Sequence, residues 1–173
     1  MNIFILDPSP ELAARAVDDR RVGAALKEVA QMMATASIAL GGAPPLRVNG
    51  QPYRPTHALH PCSRWVGSSR AAWEWTVAYA TALSAEHRER FGTAHRSFDA
   101  VIACDRGPKP PSVAAPLLFV VGMKNAAEPA GALLTSARSV AVYRDYYRQA
   151  KGPTATYQRG REAPSWMMRT VDA

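Results

Sequence analysis

Glu28 is the only acidic residue between Arg20 and Leu40, in a stretch otherwise made mostly of alanine and larger apolar side chains. Arg21, Glu28, Gln31 and Thr35 fall within roughly 80° of one another when wound as a helix at 100° per residue. A helix this apolar is expected to be covered on most sides. A carboxylate held there is partly dehydrated, and such a group can take or give a proton or stabilise a cationic intermediate. Glu28 and Arg21 are therefore candidate catalytic residues, with Gln31 beside them as a substrate contact. The plainer alternative is a surface glutamate beside Lys27 or a structural ion pair.

A second group follows a proline-rich connector, in the segment His57–Phe91. It opens with His57, His60 and Cys62, and carries Arg64, Trp65, Arg70 and Glu74. The pattern H-x-x-H-x-C matches no strong zinc spacing and lacks a second ligand pair, so no metal is expected. The histidines instead suit the start of a helix, where backbone donors attract anions. Arg64 beside Trp65 suits a phosphate held next to a stacked base. The alternatives are core packing for Trp65 and a simple four-residue ion pair for Arg70 and Glu74. All six residues His57, His60, Arg64, Trp65, Arg70 and Glu74 are carried forward as candidate substrate contacts.

The C-terminal third is basic. Positions 136–173 hold seven basic and three acidic residues. Arg144, Arg148 and Lys151 recur at helical spacing with Tyr147 among them, Trp166 follows, and Arg138, Arg159, Arg161 and Arg169 add charge. This is the composition of a grip on a nucleic-acid backbone, or of a solvated basic face.

The bulk numbers agree with a polyanionic partner. The 173 residues carry a formal net charge of +7 and the isoelectric point is about 9.8, which favours phosphate-rich partners. The apolar fraction of 47% fits a folded chain with a core of its own. No apolar run reaches the roughly 20 residues of a membrane span, and the start MNIFILDPSPE lacks the features of a leader. Two cysteines, Cys62 and Cys104, are expected as free thiols in a cytoplasmic protein. There is no phosphate-binding glycine loop, no G-x-S-x-G, no C-x-x-C and no H-E-x-x-H, so nucleotide-triphosphatase, serine-hydrolase and zincin chemistry have no support and no cofactor is called for.

Helices must position these residues. Pro10 behind Ser9 or Asp7 starts a helix over 10–19, after an extended apolar arm at 1–8. Val22, Leu26, Val29, Met33, Ala36 and Leu40 keep the helical period from about 20 to 40, and GGAPP stops it. A third helix is expected to start at Pro61 and run unbroken to Phe91, where Gly92 ends it; a short one covers 96–104, and a last one 136–151 with Val140, Tyr143, Tyr147 and Ala150 inward. The prolines, 14 in all, cluster in the connectors; 105–117 reads as a rigid loop, and LLFVVGM at 117–123 is too short to separate strand from buried helix. The fold expected is a mainly α, single-domain bundle of five or six helices over 1–173.

Fourteen positions also resemble a group of small phage and bacterial proteins with an MNIF(I/V)LD-type start, a D-(K/R)-H-V-V-K…E-x-A-Q helix, an H-P-C-x-x-W segment and a closing P-x-W. Here they are Asp7, Asp19, Arg20, Arg21, Val22, Glu28, Ala30, Gln31, His60, Pro61, Cys62, Trp65, Pro164 and Trp166. More distantly, the layout is similar to the phage-type pyrimidine-dimer DNA glycosylase and abasic-site lyase, a small basic all-α family. There the N-terminal α-amine attacks the sugar and forms an imine, beside arginines and a catalytic glutamate. Such amines ordinarily titrate near 8, so part is neutral and nucleophilic at physiological pH. The resemblance implies the amine of Met1, or of Asn2 were Met1 removed, as nucleophile and Arg20 and Arg21 as its basic residues. Gly23 and Ala24 depart from the two patterns, and Glu28 is the nearest glutamate.

The resulting expectation is a DNA-acting enzyme at a pyrimidine base. Two alternatives stand beside it: a phage transferase that hypermodifies DNA pyrimidines on the same scaffold, and a non-enzymatic DNA-binding protein using its basic C-terminal face. They part on whether the amine, Glu28, Arg21, His60 and Arg64 share a cleft.

Overall fold

The computed structural model describes residues 1–110 and 115–168. Part of the expected rigid loop, residues 111–114, and Arg169 lie outside them. The chain is mainly helical, as expected. The helices are α1 (Pro10–Arg15), α2 (Val22–Ala39), α3 (Pro61–Val66), α4 (Arg70–Phe91), α5 (Ser97–Ile102) and α6 (Ser136–Ala150). The ambiguous apolar run at 117–123 contains β1 (Phe119–Val120), which pairs antiparallel with β2 (Leu133–Leu134) in a two-stranded ribbon. Short 3-10 turns at Gly152–Thr154 and Ser165–Met167 fold the C-terminal segment back over the helices.

The opening segment is the most buried piece of irregular backbone. Ile3, Phe4, Ile5 and Leu6 have almost no exposure, yet the arm takes no part in a sheet. Its polar groups are met by side chains instead, as buried backbone requires. Arg144 Nε donates to Leu6 O at 2.7 Å, and Trp75 Nε1 donates to Pro8 O at 2.8 Å. Phe4 meets the Tyr147 ring edge-on, with centroids 5.0 Å apart. Ser9 then caps α1 by accepting from Leu12 N, with Pro10 in the first turn.

The α2 helix is covered on most sides, with Val22, Leu26, Val29 and Met33 fully buried. It packs against α3, α4 and α5, and α1 lies along α4. The expected unbroken helix from Pro61 to Phe91 is two helices. Gly67 ends α3, Ser68 Oγ donates back to Trp65 O at 2.7 Å, and Ser69 Oγ accepts from Ala72 N at 3.1 Å to start α4. Two adjacent hydroxyls that bond local backbone compete with helix continuation, and here they win. The break turns the two helices so that Trp65 meets Trp75 edge-on at 6.0 Å, with Phe119 against both. The α4 helix ends at Gly92, whose φ of 72° is the left-handed conformation that glycine adopts without strain.

Salt bridges bind the C-terminal segment to this core. Arg90 is buried and donates to Glu86, to Asp19 and to the carbonyls of Val17 and Arg15. Arg161 reaches the same Glu86 at 2.9 Å and also pairs with Glu89. A buried arginine with this many acceptors joins the α1–α2 turn, α4 and the C-terminal segment at one point. Among the described residues, no helix is long and apolar enough to cross a membrane.

Candidate functional site

The arm and α2 together bring a carboxylate to an amine. Asn2 N–H donates to Glu28 Oε2 at 2.7 Å, and the α-amine of Met1 lies 4.0 Å from the same oxygen. Both line a cleft of about 340 Å³. Glu28 keeps 35% of its side chain exposed, so the cleft is open to a ligand on one side.

Arg21 enters the same cleft and is braced from behind. Its guanidinium donates to Asp18 Oδ2 at 2.7 Å and to Thr154 Oγ1 at 2.7 Å. Asp18 is wholly buried, and it also accepts from Tyr147 OH at 2.5 Å and from Arg20 N at 3.0 Å. A guanidinium bound on two edges has little rotamer freedom left to give up when it meets an anion. His60 lines the far wall. Its Nδ1 accepts from Cys62 N at 3.2 Å, capping α3 ahead of Pro61. Burial, then the nearby α-amine and His57, push the His60 imidazole below its ordinary range, with Glu28 opposing.

Lys124, Lys151 and Tyr146 complete the rim, with Lys151 Nζ 5.7 Å from the centre of the Tyr146 ring. Nothing in the sequence marks Lys124, and Asn2 enters there only as an alternative source of the amine. Lys124 follows the ambiguous apolar run, where no period says which way a side chain faces. Tyr146 is next to Tyr147, and only the phase of the helix separates them. Ala24 also lines the cleft. The cleft therefore gathers the α-amine, Arg21, Lys124 and Lys151 around one carboxylate, a balance that favours an anion.

Other candidate residues lie elsewhere. Arg64 is exposed beside a separate, more apolar cavity of about 380 Å³ that Leu59, Trp65 and Leu133 also line, and it does not share the Glu28 cleft. Trp65 is core: it is 4% exposed and its Nε1 donates to Leu118 O at 2.7 Å. Gln31 lines a third cavity, of about 390 Å³, with Lys27, Arg47 and Tyr53, almost one turn of α2 further along from Glu28. Arg70 and Glu74 pair with each other at 2.7 Å on the surface, an arrangement of small energetic weight. His57 is exposed in the turn ahead of α3, with a φ of 52°, and its carbonyl accepts from His60 N at 2.9 Å. Arg20 is exposed and outside the cleft lining.

The basic stripe of α6 divides. Tyr147 is fully buried with its hydroxyl on Asp18, so it presents no surface to a nucleic acid. Arg144 is committed to Leu6 O and to Asp7, 3.1 Å away, and stacks over Trp166 at 5.4 Å. Arg148 pairs with Asp145 at 2.8 Å. Of the expected stripe, Lys151 alone lines the cleft.

Comparison with family models, with curated proteins and with solved structures finds no match to this chain.

Proposed function

We propose that this chain is an enzyme acting on DNA at a pyrimidine nucleotide, with the α-amine of Met1 as nucleophile and Glu28 as its acid–base partner. The observation that carries this reading is the 4.0 Å approach of the amine to Glu28 Oε2 inside a cation-lined cleft. A lone amine and a lone carboxylate at the surface would mean little. Here the two come from positions 26 residues apart or more, the arm that delivers one is buried, and the cleft between them has the size of a nucleotide.

The chemistry follows from the groups present. The neutral amine adds to C1′ of a deoxyribose: at an intact nucleotide the base leaves with one amine proton, and the C1′–O4′ bond then opens, O4′ taking the second, to give the imine, whereas at the open-chain aldehyde of an abasic sugar water leaves the carbinolamine. Glu28 takes the proton that the amine loses and returns it to the departing group. Arg21, Lys124 and Lys151 hold the flanking phosphates, and His60, kept neutral, offers an uncharged wall beside the sugar. This reading shares Met1 and Arg21 with what the resemblance to the pyrimidine-dimer glycosylase implies, puts Glu28 in the role of the glutamate, and leaves out Arg20, which lies outside the cleft lining.

The test is reduction with borohydride in the presence of duplex DNA bearing an abasic site. The full chain is expected to form a covalent complex, and Glu28→Gln to lower its rate by roughly 100-fold or more. An active, folded preparation that forms no complex excludes the imine chemistry.

A further inference from the structure

The Met1 residue that carries the amine is joined by its peptide bond to Asn2, and the Asn2 side chain is held in a buried polar knot that the proposed chemistry does not use. Cys62 Sγ approaches Asn2 Oδ1 at 3.4 Å and Tyr143 OH approaches it at 3.3 Å. Tyr143 is itself fixed: its hydroxyl lies 2.9 Å from Val120 O and accepts from Gly122 N at 3.1 Å. Tyr143 and Cys62 are fully buried, and Asn2 is 9% exposed. A Cβ on Gly122 would fall well inside van der Waals distance of both Asn2 Oδ1 and Cys62 Sγ. The knot thus draws one residue from each of the arm, α3, the segment after β1 and α6.

Both hydrogen-bond donors in this knot stay protonated. Burial pushes the Cys62 thiol up to about 11, and burial, then the neighbouring Cys62, raises the Tyr143 phenol well above its ordinary value. The single Tyr143 proton goes to its shorter contact, Val120 O, so Asn2 Oδ1 accepts from the neutral Cys62 thiol and packs against the Tyr143 hydroxyl. The backbone N–H of the same residue is bound to Glu28 at 2.7 Å. Asn2 is pinned at both ends, and the one rotation that remains carries the amine.

We infer that Asn2 is a positioning residue, clamped by Cys62 and Tyr143 across Gly122 so that the Met1 amine is held in register with Glu28. Tyr143 and Cys62 touch neither the cleft's cations nor the place of a substrate; they act through Asn2. The clamp rests on the proposed imine chemistry only for its purpose. The charged and titratable groups that line the cleft with the amine are Arg21 just before α2, Glu28 in α2, His60 at the start of α3, Lys124 after β1, and Lys151 after α6.

The clamp is tested in the full chain with two readouts. The first is single-turnover borohydride trapping on abasic-site duplex DNA, with DNA affinity measured separately. Cys62→Ala, which removes a donor, is expected to slow trapping by roughly 10- to 100-fold at saturating DNA while Kd stays within about twofold, because a displacement near 1 Å has consequences of this size. Cys62→Ser keeps a donor and is expected to recover most of the rate. Tyr143→Phe and Gly122→Ala are expected to resemble Cys62→Ala wherever they fold. The second readout needs no DNA: the rate at which benzaldehyde and cyanoborohydride label the Met1 amine, followed by peptide mass against the labelling of Lys124. Cys62→Ala is expected to change the Met1 rate but not the Lys124 rate, and to abolish the sensitivity of the Met1 rate to Glu28→Gln. Equal Met1 labelling in Cys62→Ala, Cys62→Ser and the parent chain, with Glu28→Gln still effective in all three, overturns the clamp. A parent chain that never traps DNA defeats the proposed function and leaves the labelling result to decide the clamp.

Discussion

Glu28 Oε2 accepts from Asn2 N at 2.7 Å and stands 4.0 Å from the α-amine of Met1. One carboxylate oxygen thus serves both the structure of the arm and the charge of its end. Glu28→Gln retains an acceptor for Asn2 N but not the negative charge. The expected result is a fold intact to within about 1 kcal/mol, since most partly exposed substitutions away from buried networks cost little, together with loss of borohydride trapping. Chemical denaturation and trapping on the same preparation separate the two effects. A Glu28→Gln protein that is folded and fully active removes Glu28 from the chemistry.

Lys124 and Lys151 are predicted to carry DNA affinity that the stripe on α6 was expected to supply. Replacing both by alanine should weaken binding and reduce the slope of log K against log salt by about 0.9 for each phosphate that is no longer neutralised. Titrations at several salt concentrations measure this. Lys109→Ala, outside the cleft, should leave the slope unchanged. An unchanged slope in the Lys124→Ala, Lys151→Ala protein would place the nucleic acid elsewhere.

How much of the molecule is legible in its sequence depends on the physics at each residue. The α2 helix is legible because Val22, Leu26, Val29 and Met33 all face one core, and burial on one side writes a period into the sequence. The break at Gly67–Ser69 is not, since a glycine inside a helical pattern is tolerated and the two serines act only through the bonds they find locally. Tyr147 carries two readings, core stripe and nucleic-acid contact, and only the depth of its burial chooses between them. The approach of Met1 to Glu28 is implied by a resemblance and not by spacing. Whether Arg64 shares the Glu28 cleft is left open by the sequence, and the structure puts it beside a different cavity. Lys124 and Asn2 lie in irregular segments that have no period to read.

The ion cluster around Glu86 should govern acid stability. Burial alone would raise its carboxyl, but hydrogen bonds from Arg161 and Arg90 and their charges outweigh it and hold the group below its ordinary range. As pH falls, the unfolded chain therefore binds this proton first. The stabilisation is complete above the ordinary glutamate range, near 4.3, and is lost as pH falls through the lower folded value. Glu86→Gln leaves the buried Arg90 with Asp19 as its remaining carboxylate and should cost about 3 kcal/mol at neutral pH. Denaturation of the variant should then show a weaker dependence on pH in the acid range than the parent.

His60 predicts a separate, milder dependence. Its folded value is depressed, so the unfolded chain takes up this proton at a higher pH than the folded one. Stability from this group is complete above the ordinary histidine range and declines as pH falls from about 7 towards 5. His60→Asn retains a capping side chain for Cys62 N and removes the titration. Its stability should vary less across that window, as thermal melts at several pH values would reveal. An identical slope in parent and variant would mean that His60 titrates alike in both states.

The central claim is that the Met1 amine is the group that bonds to the sugar. Peptide mass mapping of the borohydride-reduced complex, after nuclease digestion of the DNA, locates the bond directly. The account predicts the sugar remnant on the Met1 α-nitrogen. A remnant on Lys124 or Lys151, with Met1 unmodified, would contradict it.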